Sequence, residues 1–236
     1  MDQSATCRER TWKQLGTVEP FSLTQTPGGA SVSLSEPRWP ALRENFRVIR
    51  RPNGNVLLVS DGLSDPFDDF HDGGGNVNGF SLEFYVETPA EEIGSTVTEI
   101  RRSWQFQLLH TVGQLAAGHG SIRSIIDEMG LLSTEAEGVT DAVPAHARAL
   151  LVNSAGRVGA LLGLQDPRLG LGEGVPETVT GMPLTDVKLV NVKLISLAEL
   201  RLITERGAAG RRKLAELFSA HPDTAVVSSL LRQSAV

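Results

Sequence analysis

The sequence predicts an α+β fold: a mixed, largely antiparallel β-sheet packed with helices in a single domain. Three observations carry this. β-rich runs recur early and late in the chain, one amphipathic helical run interrupts them, and two further helical runs close the sequence. At 236 residues the chain suits one large domain, and 40% hydrophobic with 21% charged residues supplies a core and excludes general disorder.

In chain order, residues 1–38 are polar, contain Pro27-Gly28-Gly29 and hold no sustained period, so they read as an N-terminal arm or extension with isolated anchors at Trp12 and Phe21. The folded domain is expected over 39–236. Phe46 to Arg50 and Val56 to Val59 are short β-rich runs on either side of Asn53-Gly54, a dipeptide that tolerates positive φ and signals a hairpin. Phe80, Leu82, Phe84 and Val86 then alternate with Ser81, Glu83, Tyr85 and Glu87, the period of a strand with one buried face and one face presenting carboxylates. Ser103 is placed to cap a helix with Trp104, Leu108, Val112 and Leu115 on one stripe, ending at Gly118 or Gly120. Beyond it a short helix is expected before Gly130 and a polar stretch from Ser133 to Asp141. Ala149 to Val152 and Val158 to Leu164 read as strands, followed by a Gly- and Pro-rich connection from Asp166 to Pro183. Val187 to Leu194 is a further strand. Ser196-Leu197-Ala198-Glu199 is a capping box opening a helix that stops at Gly207, and Arg211 to Ala220 forms the last helix.

Charge is segregated along the chain. Between Pro52 and Ile100 lie ten acidic side chains and no Lys or Arg, whereas residues 1–51 carry eight basic and five acidic groups and residues 101–236 carry fourteen and thirteen. A field of this sign attracts a basic protein and repels phosphate and acidic lipid, so nucleic acid and membrane are excluded as expected partners. Asp2, Arg8, Glu9 and Arg10 precede any apolar run, unlike a secretory signal, and no apolar stretch approaches the ~18–20 residues of a membrane span. The expected location is the cytoplasm. The lone Cys7 has no partner for an internal disulfide and reads as incidental, near a loose terminus.

Several blocks resemble the suppressor of fused domain family, in particular its bacterial members. They are Leu58 to Asp65, Gly79 to Glu83-Phe84, Trp104 to Leu109 with Leu115, Asp166 to Gly170, and Val187 to Phe218 with Leu197 to Leu200 and Gly210-Arg211. The likeness covers Trp39 to the C-terminus and rests on the order of the blocks. It implies a binding domain. Animal members clamp an extended peptide of a transcription factor, and bacterial members are interpreted as immunity proteins that neutralise a toxin. The animal peptide-binding residues are not matched one by one here, so none is carried over, and the chain looks like the amino-terminal domain alone.

The chemistry in the residues points the same way. Asp65-Pro66-Phe67-Asp68-Asp69-Phe70-His71-Asp72 places carboxylates beside two aromatic anchors, a composition suited to a basic partner. The spacing fails a calcium loop, and Gly73 to Gly79 lacks the Lys-Ser/Thr and the helix of a phosphate loop, so no metal and no cofactor is expected. No nucleophile elbow, His-Glu-x-x-His or Cys pair occurs, and no catalytic residue is assigned. His110 falls opposite the Trp104 stripe and is expected to be exposed. Arg206, Arg211, Arg212 and Lys213 read as solvated helix ends. The predicted partner-binding set is Asp61, Asp65, Phe67, Asp68, Asp69, Phe70, His71, Asp72, Glu83 and Glu87. The function expected is that of a non-catalytic cytoplasmic immunity protein that binds and neutralises a basic toxin. A peptide-clamping adaptor and an enzyme with an unrecognised site are the alternatives.

Overall fold

The computed structural model describes residues 2–24, 45–66 and 77–236. The chain opens with helix α1 (Asp2–Leu15), which leads into the two-residue strand β1 (Thr17–Val18). The early extended arm is therefore corrected over these residues. Ser4, Cys7, Arg8, Thr11, Trp12 and Leu15 are buried, a spacing of three and four that defines one helix face. That face is made largely of small and polar side chains. Cys7, expected at a loose terminus, is buried and its thiol donates to the Gly181 carbonyl at 3.0 Å.

Strands β2 (Phe46–Arg50) and β3 (Asn55–Ser60) form the expected hairpin, with Gly54 at φ 84° in its turn. Strand β4 (Leu82–Pro89) pairs antiparallel with β3. Helix α2 (Val97–Arg102) opens on a Thr96–Glu99 capping box, and Ser103 caps helix α3 (Trp104–His119), which ends on Gly120 in the left-handed region. His110 is half-buried and stacks on Phe106 at 6.2 Å, so its expected exposure is corrected. Helix α4 (Ile122–Met129) precedes Gly130, as the sequence predicts.

Two local expectations fail. Leu132–Ala136, overlapping the stretch from Ser133 to Asp141 read as polar, is strand β5, and Ala145–Leu151, overlapping an expected strand, is helix α5. Strand β6 (Val158–Leu162), the short β7 (Thr178–Val179) and the long β8 (Val187–Ile195) complete the sheet. Helix α6 (Leu197–Arg206) begins at its predicted capping box, and α7 (Ala208–Ser219) follows Gly207.

The strand order is β1-β2-β3-β4-β8-β6-β5, with β7 also pairing β8. Only β4 and β8 run parallel among the described named strands, which makes the sheet mixed and mostly antiparallel. One face packs Val48, Leu58, Phe84 and Val192 against Phe106, Leu109 and Val112 of α3. The opposite face is covered as well. There α1 packs Trp12 and Leu15 over Ile49, Leu57 and Tyr85, while α6 and α7 bring Ile203, Leu214 and Phe218 over Leu161 and Ile195. A sheet buried on both sides changes the meaning of every carboxylate on β4.

Strands β4 and β8 separate beyond Tyr85 and Asn191, and the C-terminal segment fills the fork. Val227 bridges to Glu87 in parallel, the Ser228 amide donates to the Glu87 carbonyl at 2.7 Å, and the Leu194 amide donates to Ser228 Oγ at 2.9 Å. Lys193, with its amine donating to the carbonyls of Thr224 and Val227, holds the same segment from below. Burial pushes the Lys193 amine well below its ordinary pKa, with Arg232 adding to the effect.

Candidate partner-binding surface

Glu83, Tyr85 and Glu87 project from one face of β4, since alternate residues of a strand share a side. Glu83 and Glu87, expected on an exposed face, are fully buried because α1 and the segment 166–175 cover that face. Their charges are met inside the protein.

At Glu83, Oε1 accepts from the Gly62 and Ser64 amides at 3.0 Å each and from Ser64 Oγ at 2.6 Å, while Oε2 accepts from Ser60 Oγ. Arg8, only 2% exposed, reaches over from α1. Its Nε donates to Asp61 at 2.7 Å and lies 3.7 Å from Glu83, and its Nη2 donates to Asp65 at 2.8 Å. Arg47 donates to the second oxygen of Asp61 at 3.0 Å. Burial alone would lower the Arg8 pKa, but Glu83, Asp61 and Asp65 outweigh it and raise it. Burial raises the Glu83 pKa, with Arg8 opposing and Asp61 reinforcing the shift.

Glu87 anchors the other end of the row. Arg168 donates to it through Nη1 at 3.1 Å and through Nη2, Arg51 donates at 3.2 Å, and Asn55 Nδ2 donates at 2.7 Å. Arg168 also grips Asp166 at 2.8 Å through both Nε and Nη2, which fixes the 3-10 turn Pro167–Leu171 against the sheet. Burial alone would raise the Asp166 pKa, but hydrogen bonds from Arg168 and from the Val175 amide hold it below its ordinary value.

These networks fix both roots of the acidic, aromatic loop. On the leading side Asp61 and Asp65 are held by Arg8. On the trailing side the Phe80 amide donates to the Leu63 carbonyl at 2.8 Å, and Asn78 is bound to Thr185 through its amide at 3.0 Å and its side chain at 2.6 Å. Gly79, at φ +49°, passes so close that a Cβ there would sit 2.3 Å from the Leu63 oxygen, so no other residue fits without moving the root. The predicted partner-binding set thus divides. Asp61 and Asp65 build the root, Glu83 and Glu87 serve inside, and Phe67, Asp68, Asp69, Phe70, His71 and Asp72 lie outside the described residues. Arg8, Arg51 and Arg168, which the sequence reading passed over, organise the region. For Arg8 the available signal was its place on the 4, 7, 8, 11, 12, 15 helical stripe.

Among the described residues no group of three His, Cys, Asp or Glu side chains is arranged to hold a metal ion, and no helix is long and apolar enough to cross a membrane. No protein-family model matches the chain, and no curated protein matches it. A solved structure described as "the Sufu-Fu complex crystal structure" is similar in fold, with a TM-score of 0.54 and 14% identity, covering 98% of this chain and 90% of that one. The chain has a Sufu-like fold, as the sequence blocks implied.

Proposed function

We propose that this chain is a non-catalytic protein-binding domain that acts in the cytoplasm as an immunity protein, neutralising a basic toxin through the loop 67–76. The observation that carries this reading is the doubly anchored base of that loop: Arg8, Gly79 and Asn78 fix its two roots. Pre-fixed roots lower the ordering cost of presenting Phe67 and Phe70 to a partner. The carboxylates nearest the loop are already paired with arginine, so they support structure and are not poised for acid–base work. The solved structure with a similar fold is itself a protein–protein complex, which agrees with a protein partner.

The test is co-purification from the native cell, followed by growth assays in which the captured protein is expressed with and without this chain. The expected partner is basic, arrests growth alone and is silenced by the chain. A partner that is harmless, or a toxin left active by a stoichiometric complex, overturns the reading.

One observation favours a second reading, an adaptor that clamps an extended peptide. Strand β5 pairs only with β6 among the described residues, which leaves a sheet edge able to take another strand. Proline at Thr134 should abolish such binding and leave loop-mediated binding intact.

A further inference from the structure

The chain holds two Asn-Gly pairs, Asn53-Gly54 and Asn78-Gly79, and the fold treats them oppositely. An asparagine followed by glycine is open to a reaction of its own. The glycine nitrogen can reach the side-chain amide, because no Cβ shields the approach and the glycine backbone turns freely. Gly54 lies in the turn between β2 and β3 with nothing within 4 Å of where a Cβ would sit, and Asn53 beside it is exposed. Gly79 is walled in, since a Cβ there would meet the Leu63 and Asp65 carbonyl oxygens at 2.3 and 2.5 Å, and Asn78 is fully buried.

The hydrogen bonds sharpen the contrast. Asn53 Oδ1 accepts from the Asn55 amide, two residues on, at 3.0 Å, which folds the side chain forward along the Gly54 peptide. That donor polarises the Asn53 side-chain carbonyl and meets the charge that gathers on its oxygen when Cγ is attacked. The other bonds are long: Asn53 Nδ2 donates to Glu87 at 3.4 Å, and the Gly54 amide donates to the Arg51 carbonyl at 3.2 Å. Little therefore holds the leaving nitrogen or the attacking one. Asn78 donates through Nδ2 to the Thr185 carbonyl at 2.6 Å, accepts from Ser4 Oγ at 3.3 Å and is fixed by its own backbone amide to Thr185 Oγ1 at 3.0 Å. Turning its side chain toward Gly79 breaks these bonds in a closely packed space.

We propose that Asn53 is a site of spontaneous deamidation in the folded protein, converting to aspartate and isoaspartate, whereas Asn78 is protected until its surroundings open. The Gly54 nitrogen gives its proton to solvent base and attacks Asn53 Cγ. The new N–Cγ bond replaces the Cγ–Nδ2 bond, and Nδ2 takes a proton back from solvent and leaves as ammonia. Water then opens the resulting succinimide at either carbonyl, so one water enters for one ammonia lost and no oxidant or cofactor is consumed. Opening at one carbonyl gives aspartate; opening at the other routes the main chain through the side chain and adds a carbon to the β2–β3 turn. Either product puts a carboxylate where an amide donated to Glu87, which is fully buried and shared by Arg51 and Arg168. The reaction thus acts on the anchor that holds the 3-10 turn Pro167–Leu171 to the sheet, and it does not depend on the loop 67–76.

The test ages the full chain in mildly alkaline buffer, folded and in urea, and follows the amide-to-acid mass change at each asparagine by peptide mapping. In the folded protein Asn53 should convert at least about tenfold faster than Asn78, because Asn78 reacts only through local opening. In urea the two should convert at like rates, since only the shared dipeptide remains. Asn53→Ser keeps an oxygen for the Asn55 amide but has no amide nitrogen to lose, so its turn should age without a change of mass. Aged parent should melt below fresh parent, and aged Asn53→Ser should melt as fresh Asn53→Ser does. A folded chain in which Asn53 stays intact, or in which both asparagines convert equally, overturns the site. A parent that converts at Asn53 and keeps its melting temperature, or an equal loss in aged Asn53→Ser, overturns the link to Glu87. The measurement needs no partner, so its outcome and that of the loop-based reading are separate.

Discussion

Arg8 is a single side chain that faces Asp61, Asp65 and Glu83, and the effect of removing it is asymmetric. Arg8→Met keeps much of the buried stem but leaves three carboxylates without their shared cation, so it should cost about 3–5 kcal/mol of stability. Glu83→Gln retains an oxygen for the Gly62 and Ser64 amides and leaves Asp61 and Asp65 to neutralise Arg8. Its cost should be nearer 1–2 kcal/mol. Urea unfolding of the two variants checks the order, and equal losses would mean that Arg8 acts through packing alone. Asp166 gives the corresponding pH statement. Its folded pKa is depressed, so its contribution is present above the unfolded value of about 3.9 and is lost as pH falls through the folded value. The decline of stability below about pH 4 should therefore be shallower in Asp166→Asn than in the parent, measured by unfolding at stepped acid pH.

At the scale of elements, the C-terminal segment is held in the fork between β4 and β8 by backbone bonds and by a clasp between Arg232 and Glu199, with Arg232 Nη1 at 2.6 Å from the carboxylate. Removing the clasp with Arg232→Ala should speed hydrogen exchange at Ser228 and Leu230 by about tenfold or more, while the amides of β2 and β3 exchange as before. Uniform acceleration throughout the sheet would show instead that the segment opens only with global unfolding. The fork was not legible in the sequence, because Ala225 to Ser228 make a single bridge and hydrogen bonds through side chains, with no strand period to read. The hairpin, the α3 stripe through Trp104, Leu108 and Val112, and the α6 capping box were legible, since each is set by local chemistry: Asn-Gly, Ser103 and Ser196 with Glu199; Leu115, expected on that stripe, is exposed. Helix α1 was missed because its buried face uses Ser4, Cys7, Arg8 and Thr11, which do not register as apolar. Strand β5 was missed because it is an edge, with Ser133, Thr134 and Glu135 only partly covered or exposed.

For the whole molecule, the acidic tract read from the sequence is partly spent on the fold. Of its ten carboxylates, Asp65, Glu83 and Glu87 are buried and matched by Arg8, Arg51 and Arg168, all from outside the tract, and Asp61 is bonded to Arg8 and Arg47. Glu92 is half-buried and accepts from the Leu230 amide at 2.7 Å, and Glu99 is a helix cap. Charges neutralised by a cation at contact distance project little field, so steering of a basic partner falls to Asp68, Asp69 and Asp72 with Glu91, Glu92 and Glu99, the last two of which are bonded to neutral groups. Association should slow with salt, because the screening length shrinks from about 10 Å at 0.1 M to about 3 Å at 1 M, yet the dependence should be shallower than ten free carboxylates would give. Asp68→Asn, Asp69→Asn and Asp72→Asn together should remove most of the salt dependence and lower the association rate without changing the melting temperature. Phe70→Ala or Phe67→Ala should instead speed dissociation, at a cost of about 2 kcal/mol in affinity. Stopped-flow association and dissociation on the captured partner separate the two effects. A rate that is flat in salt, or a triple variant that keeps the full slope, would move the electrostatic encounter away from this loop.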